Sequence, residues 1–223
     1  MERKFKFVSE EYYHLFNRGV EKRKIFLDKK DYERFLALLY ILNQEDHFHV
    51  SNFLNRGQKN ILDLYKQKRS KPLVSILAYA LMPNHFHLII QEIEDGGISK
   101  FFGKSLTAYS MYFNKKYERS GPLFVRPFRS EHISGDVYFR HLFAYVHLNC
   151  IELFEKKWKE GGIKNYKSTE EFLESYRYSS YQDFCGLTNR PEAQILDMKN
   201  LPDFVSRTPL DICEYQKWYK NSK

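Results

Sequence analysis

The chain has 223 residues, 43% of them hydrophobic, and its 36 Lys and Arg outnumber 28 Asp and Glu to give a formal charge of +8. That is enough apolar sequence for a buried core, one domain with extensions, and the positive balance suits a polyanionic partner, either nucleic acid or an acidic membrane surface. No apolar run reaches the about 18 residues of a membrane span, and the N-terminus MERKFKFVSEEYYHLF lacks the apolar segment of a signal peptide, so a cytoplasmic protein with no membrane association is expected.

In chain order, Tyr12–Arg18 (YYHLFNR) reads as a strand ending at the turn signal Asn17-Arg18-Gly19. Asp28 can cap a helix in which Tyr32, Phe35, Leu36, Leu39 and Leu42 recur at helical spacing. His47-Phe48-His49 lies just after it among Gln44, Glu45 and Asp46, and a solvated turn is expected there. Residues 53–71, rich in Lys and Arg and weakly periodic, read as a basic insertion outside the core. From Leu73 to Gln91 two apolar runs are broken by Met82-Pro83-Asn84, the composition of two tightly joined strands. After Gly96-Gly97, the positions of Ile98, Phe101, Phe102, Leu106, Tyr109, Tyr112 and Phe113 predict a long amphipathic helix ending near Ser120-Gly121-Pro122. Residues 124–133 can form a strand, with Pro127 confining its first half to an edge or loop, and Gly135-Asp136 opens a further helix.

Strand, helix, strand, strand, helix, strand is the order of the split βαβ, ferredoxin-like plan, an α+β antiparallel sheet with helices on one face, here followed by an additional helix. Residues 1–150 are read as the domain and 151–223 as a C-terminal extension packed on it. Cys150, Cys185 and Cys213 have neither disulfide nor metal-knuckle spacing and are read as free thiols.

Within LMPNHFHLII, His85 and His87 are separated by one residue, so in a strand both imidazoles point to one face and Phe86 and Leu88 to the other. An isolated H-x-H is as compatible with two partly exposed histidines on a polar sheet face as with a metal site. On the helix from Asp136, Phe139, Leu142, Phe143, Val146 and Cys150 share an apolar stripe, and Tyr138, His141, Tyr145 and Asn149 share its flank. A tyrosine there is ordinarily amphipathic packing. Combined, the two motifs have a chemical meaning. A tyrosine attacks a phosphodiester only when its hydroxyl is deprotonated and the phosphate charge is offset, and two neutral imidazoles with a side-chain carbonyl such as that of Asn149 would hold a divalent ion with open positions for phosphate oxygens.

The ordered set MPNHFHLII, AYVHLNCIE, FNRGVEKRKIFLD, FNKKYERSGPLFVRPFRS and YSSYQDF, spanning most of residues 12–186, resembles the HUH single-tyrosine transposases, in particular the branch of REP-associated tyrosine transposases. The sequence departs from that branch at Cys150, where proline is usual, at Tyr178, where tryptophan is usual, and in the stretch 53–71. The resemblance implies a ferredoxin-like fold that binds single-stranded or hairpin DNA, with Tyr145 as nucleophile giving a 5′-phosphotyrosine, and with His85, His87 and, at the third position, Asn149 as ligands to Mg²⁺ or Mn²⁺. The expected function is thus a single-stranded DNA endonuclease and strand transferase. The alternatives are a transposase-derived regulator that binds structured nucleic acid without cleaving it, and a metal-dependent phosphodiesterase using water. Arg18, Lys104, Arg126 and Arg129 are candidate phosphate contacts, and Tyr109, Tyr112 and Phe128 candidate base-stacking rings. His14, His132, His141 and His147 are assigned structural roles. The sequence is compatible with a monomer or a homodimer.

Overall fold

The computed structural model of the chain describes residues 6–56 and 59–205. Four strands, β1 (Tyr12–Arg18), β2 (Val74–Met82), β3 (His85–Glu92) and β4 (Arg129–His132), form one antiparallel sheet in the order β2-β3-β1-β4. Helices α1 (Lys29–Ile41) and α3 (Gly97–Lys116) make the two crossovers, with the short α2 (Val50–Asn55) between them. This is the ferredoxin-like plan that the element order predicts. Helix α4 (Asp136–Leu148) follows, and α5 (Ile151–Phe154), α6 (Trp158–Gly161), α7 (Tyr166–Ser175) and α8 (Tyr181–Phe184) come after it.

Strand alternation sorts side chains to two sides of the sheet. Leu88, Ile90 and Phe86 of β3 join Tyr13 and Leu15 of β1 in the main core under α1 and α3, where the Phe86 ring lies 5.0 Å from Phe35 and 6.1 Å from Phe102. Ile89 faces the other way and packs with Phe139, Leu142, Phe143 and Val146 of α4. In β2 the register shifts between Ile76 and Ala78, a bulge that lets consecutive Leu77 and Ala78 both join the α4 side.

Helix α1 starts where the sequence caps it. The Asp28 carboxylate accepts from the Asp31 amide at 3.1 Å, and Asp31 accepts in return from the amides of Asp28 (3.3 Å) and Leu27 (2.8 Å). Asp31 is fully buried, but Lys116 at 2.7 Å and the hydroxyls of Tyr112 and Tyr117 at 3.0 and 2.8 Å satisfy it, tying the start of α1 to the end of α3.

Residues 53–71 correct the sequence reading, because part of this stretch belongs to the core. Phe53 and Leu54, at the end of α2, pack against the main cluster. Ile61–Lys66 forms a 3-10 helix whose Leu64 and Tyr65 are buried in that cluster, the latter with its ring 5.1 Å from Tyr40. Asn60 caps this helix by accepting from the Leu62 amide at 3.2 Å. The physical reason is that a six-residue 3-10 helix, about two turns, is too short to show a period, so the apolar side chains go in while the exposed Lys59 and Lys66 keep the surface basic.

The C-terminal extension closes the open edge of β2. The Leu81 amide donates to Tyr178 O (2.8 Å), the Ser180 amide to Tyr79 O (2.9 Å) and the Asp197 amide to Ile76 O (2.8 Å). Cys150 and Cys185 are free thiols, and Cys213 lies outside the described residues. Among the described residues no helix is long and apolar enough to cross a membrane.

Candidate functional site

The turn between β2 and β3 fixes the first histidine. Met82 and His85 are cross-strand partners, so Pro83 and Asn84 alone make the turn. Pro83 O accepts from the amides of Ile25 (2.7 Å) and Phe26 (3.1 Å), and Asn84 O from Gly19 (2.9 Å). Only glycine fits at position 19, because a Cβ there would lie 2.3 Å from Arg23 O. The loop that carries Lys22 is thereby held against the turn.

His85 and His87 share the α4 side of the sheet, their rings perpendicular with centroids 5.1 Å apart. The Tyr145 ring stands edge-on to His87 at 5.3 Å, and Asn149 Nδ2 is 3.3 Å from His85 Nε2. The structure therefore brings together all four residues of the two motifs. Cys150 keeps right-handed helical geometry at the end of α4, so Asn149 stays within reach of His85 and the chain runs directly into α5.

Both imidazoles are held neutral. Burial pushes the His85 pKa down to about 4, with Lys159 and Arg18 adding to the effect, and burial with His14, His85 and Lys159 holds His87 well below its usual range. Neutral imidazole is the form that binds a metal. His85 Nδ1 lies 2.7 Å from Asn84 Oδ1, which only accepts, so the proton is on Nδ1 and the lone pair on Nε2. Among the described residues no three His, Cys, Asp or Glu side chains form a metal-binding group, and the side-chain amide of Asn149 lies next to His85.

Beside the histidines is a cavity of about 300 Å³ lined by Phe16, Asn17, Arg18, Lys22, Asn84, His85, His87, Val125 and Arg129. Three of these are cations, which suits an anionic occupant. Arg18 and Arg129 are thus beside the histidines, whereas Arg126 lines a separate groove along α3. Lys104 is placed elsewhere: it is on α3, and its ammonium donates to the carbonyls of Gln44 (2.8 Å), Glu45 (3.0 Å) and Asp46 (3.1 Å). The candidate stacking rings are engaged within the protein. Tyr109 is fully buried with its hydroxyl on Ile25 O, Tyr112 is bonded to Asp31, and Phe128 packs 4.5 Å from Phe102. His47 and His49 are exposed in an irregular segment.

Sequence reasoning missed three residues of this site. Lys22 belongs to the cavity. Lys159, on α6, places its ammonium 3.1 Å from Asn149 Oδ1 and 4.4 Å from the Tyr145 ring centroid. His14, expected to be structural only, has Nε2 2.8 Å from His87 Nδ1. No local signal marks Lys159, since it approaches through the fold of the extension; His14 is readable only as a residue on the same face of β1 as Phe16.

Comparisons with known proteins agree with the sequence resemblance at family level. No curated protein matches the chain. A REP-associated tyrosine transposase bound to a REP hairpin is a structural neighbour with a TM-score of 0.49 and 11% identity, covering 95% of this chain and 97% of the other. The family model for IS200-like transposases matches residues 7–149, well over half of the sequence, and the chain belongs to that family.

Proposed function

We propose that the protein cleaves and rejoins single-stranded DNA, including hairpin ends, through Tyr145. The observation that carries this reading is the packing of the Tyr145 ring against His87 with Asn149 on His85, two motifs far apart in sequence meeting at one point. Tyr145 Oη attacks the phosphorus, an Oη–P bond forms, and the P–O3′ bond breaks to leave a 5′-phosphotyrosine and a 3′-hydroxyl. The tyrosine proton goes to solvent and the leaving 3′-oxygen takes one up; attack by a 3′-hydroxyl reverses the step. Lys159, its ammonium 4.4 Å from the Tyr145 ring centroid, offsets phosphate charge, while Arg18, Lys22 and Arg129 hold neighbouring phosphates.

The donor set fits a divalent ion. Two neutral imidazoles, one with its Nδ1 proton engaged by Asn84, present nitrogen ligands, and Asn149 would add its amide oxygen on exchanging Lys159 for the ion. Mg²⁺ or Mn²⁺ bound there would polarise the phosphate. One observation favours the second reading, a binder without cleavage: Asn149 Oδ1, the atom a metal would take, is engaged by Lys159.

Incubation of labelled single-stranded hairpin DNA with protein and Mn²⁺, followed by a denaturing gel, separates the readings. An EDTA-sensitive covalent adduct that disappears in Tyr145→Phe is expected. DNA binding without adduct in the parent protein would leave the binder, and cleavage without adduct would identify water as the nucleophile.

A further inference from the structure

Asn17, near the end of β1, is a polar side chain on the apolar face of the sheet. It is the cross-strand partner of Phe86, so it lies on the α3 side, opposite to the face that carries His85 and His87. Only 4% of it is exposed. Its Oδ1 accepts from the Arg18 amide at 2.8 Å, and because a backbone N–H only donates, the oxygen end of the side chain is fixed. Its Nδ2 donates to no group among the described residues. A donor this enclosed without a protein acceptor points to a partner from outside.

That donor sits where two openings adjoin, since Asn17 and Val125 line both the histidine cavity and the groove along α3. The openings differ in charge. The cavity has Arg18, Lys22 and Arg129 around about 300 Å³, whereas the groove, about 960 Å³, has Arg126 as its single cation, no carboxylate, and otherwise uncharged side chains. A single DNA strand is divided in the same way, into charged phosphates and neutral bases with hydrogen-bonding edges.

We propose that the groove takes the unpaired bases that adjoin the scissile phosphate, and that Asn17 selects among them by donating from Nδ2 to an acceptor on a base edge. This rests on the single-stranded DNA reading given above, with the phosphate in the cavity. With Oδ1 held by the Arg18 amide, Asn17 presents a donor only, and a base that offers an amino group at that point is rejected. Arg126 contacts the backbone of the same strand and is indifferent to its sequence.

The probe is a DNA hairpin with about six randomised unpaired nucleotides on each arm, bound in EDTA so that binding is read without cleavage. Sequencing of the fraction bound by the parent protein should show one arm position at which a base with an exposed acceptor is enriched about 10-fold. Asn17→Asp keeps the oxygen that the Arg18 amide needs and replaces the donor by an acceptor. In that variant the preference should vanish or pass to a base with an amino group, while preferences at other positions stay. No such position in the parent, or the same preference at full strength in Asn17→Asp, overturns the proposal. An absent Mn²⁺-dependent adduct with the arm preference intact removes the cleavage reading and supports the groove. Photocrosslinking needs no variant and decides if Asn17→Asp does not fold: thiothymidine beside the selected position should crosslink the parent protein at α3 or at residues 121–128, and crosslinks confined to other segments overturn the groove.

Discussion

His147 is a structural residue set between the proposed nucleophile Tyr145 and the proposed ligand Asn149. It lies two residues after Tyr145, on the opposite side of α4, and is fully buried. Its Nδ1 donates to Phe143 O at 3.0 Å, so Nε2, 2.8 Å from Ser180 Oγ, accepts from that hydroxyl. Burial pushes its pKa down to about 4. The folded state therefore holds it neutral while the unfolded chain protonates near pH 6.5, so its contribution is present above about pH 6.5 and is lost as the pH falls towards 4. The expected cost is about 1.4 kcal/mol per pH unit, on the order of 3 kcal/mol in all. His85 and His87 are shifted the same way and make the fall steeper. Urea midpoints measured from about pH 7.5 to about 4 should drop through this window, and a flat profile would contradict the assignment.

At the scale of elements, α6 has only four residues, too short to hold itself, yet it delivers Lys159 to Asn149 and Tyr145. Its anchor is Trp158, fully buried with Leu148, Cys150, Ile151, Ile163 and Leu173. Trp158→Ala should cost about 3–5 kcal/mol by the scale of large-to-small core substitutions. If that variant stays folded, Lys159 loses its support and adduct formation should fall with DNA affinity less affected. Lys159→Met keeps the stem and the fold and should reproduce the loss of adduct without the loss in thermal stability. Equal adduct yields in Lys159→Met and the parent would remove Lys159 from the chemistry.

At the scale of the whole molecule, the extension is part of the sheet's integrity. Its backbone groups at Tyr178, Ser180 and Asp197 bond to Leu81, Tyr79 and Ile76 of β2, a strand buried along its whole length. An open apolar edge of this kind templates pairing between chains. A chain ending at residue 175 should therefore aggregate where the full chain does not, as static light scattering of the two at equal concentration would show. A soluble, monodisperse truncation would show that the edge is protected by other means.

The sequence by itself determined the local facts. The alternation in LMPNHFHLII put His85 and His87 on one face, the helical spacing put Tyr145 and Asn149 on one flank, and the order of strands and helices specified the sheet plan, because periods of about 2.0 and 3.6 residues are properties of the backbone. Only the tertiary structure decided which distant elements meet. The diagonal from His14 to His87 depends on the register of β1 with β3, Lys159 reaches the site because Trp158 is buried, and Leu64 and Tyr65 leave the basic run because a core was open to them. These are contacts between segments remote in the chain, set by burial and cross-strand register, and no local period encodes them.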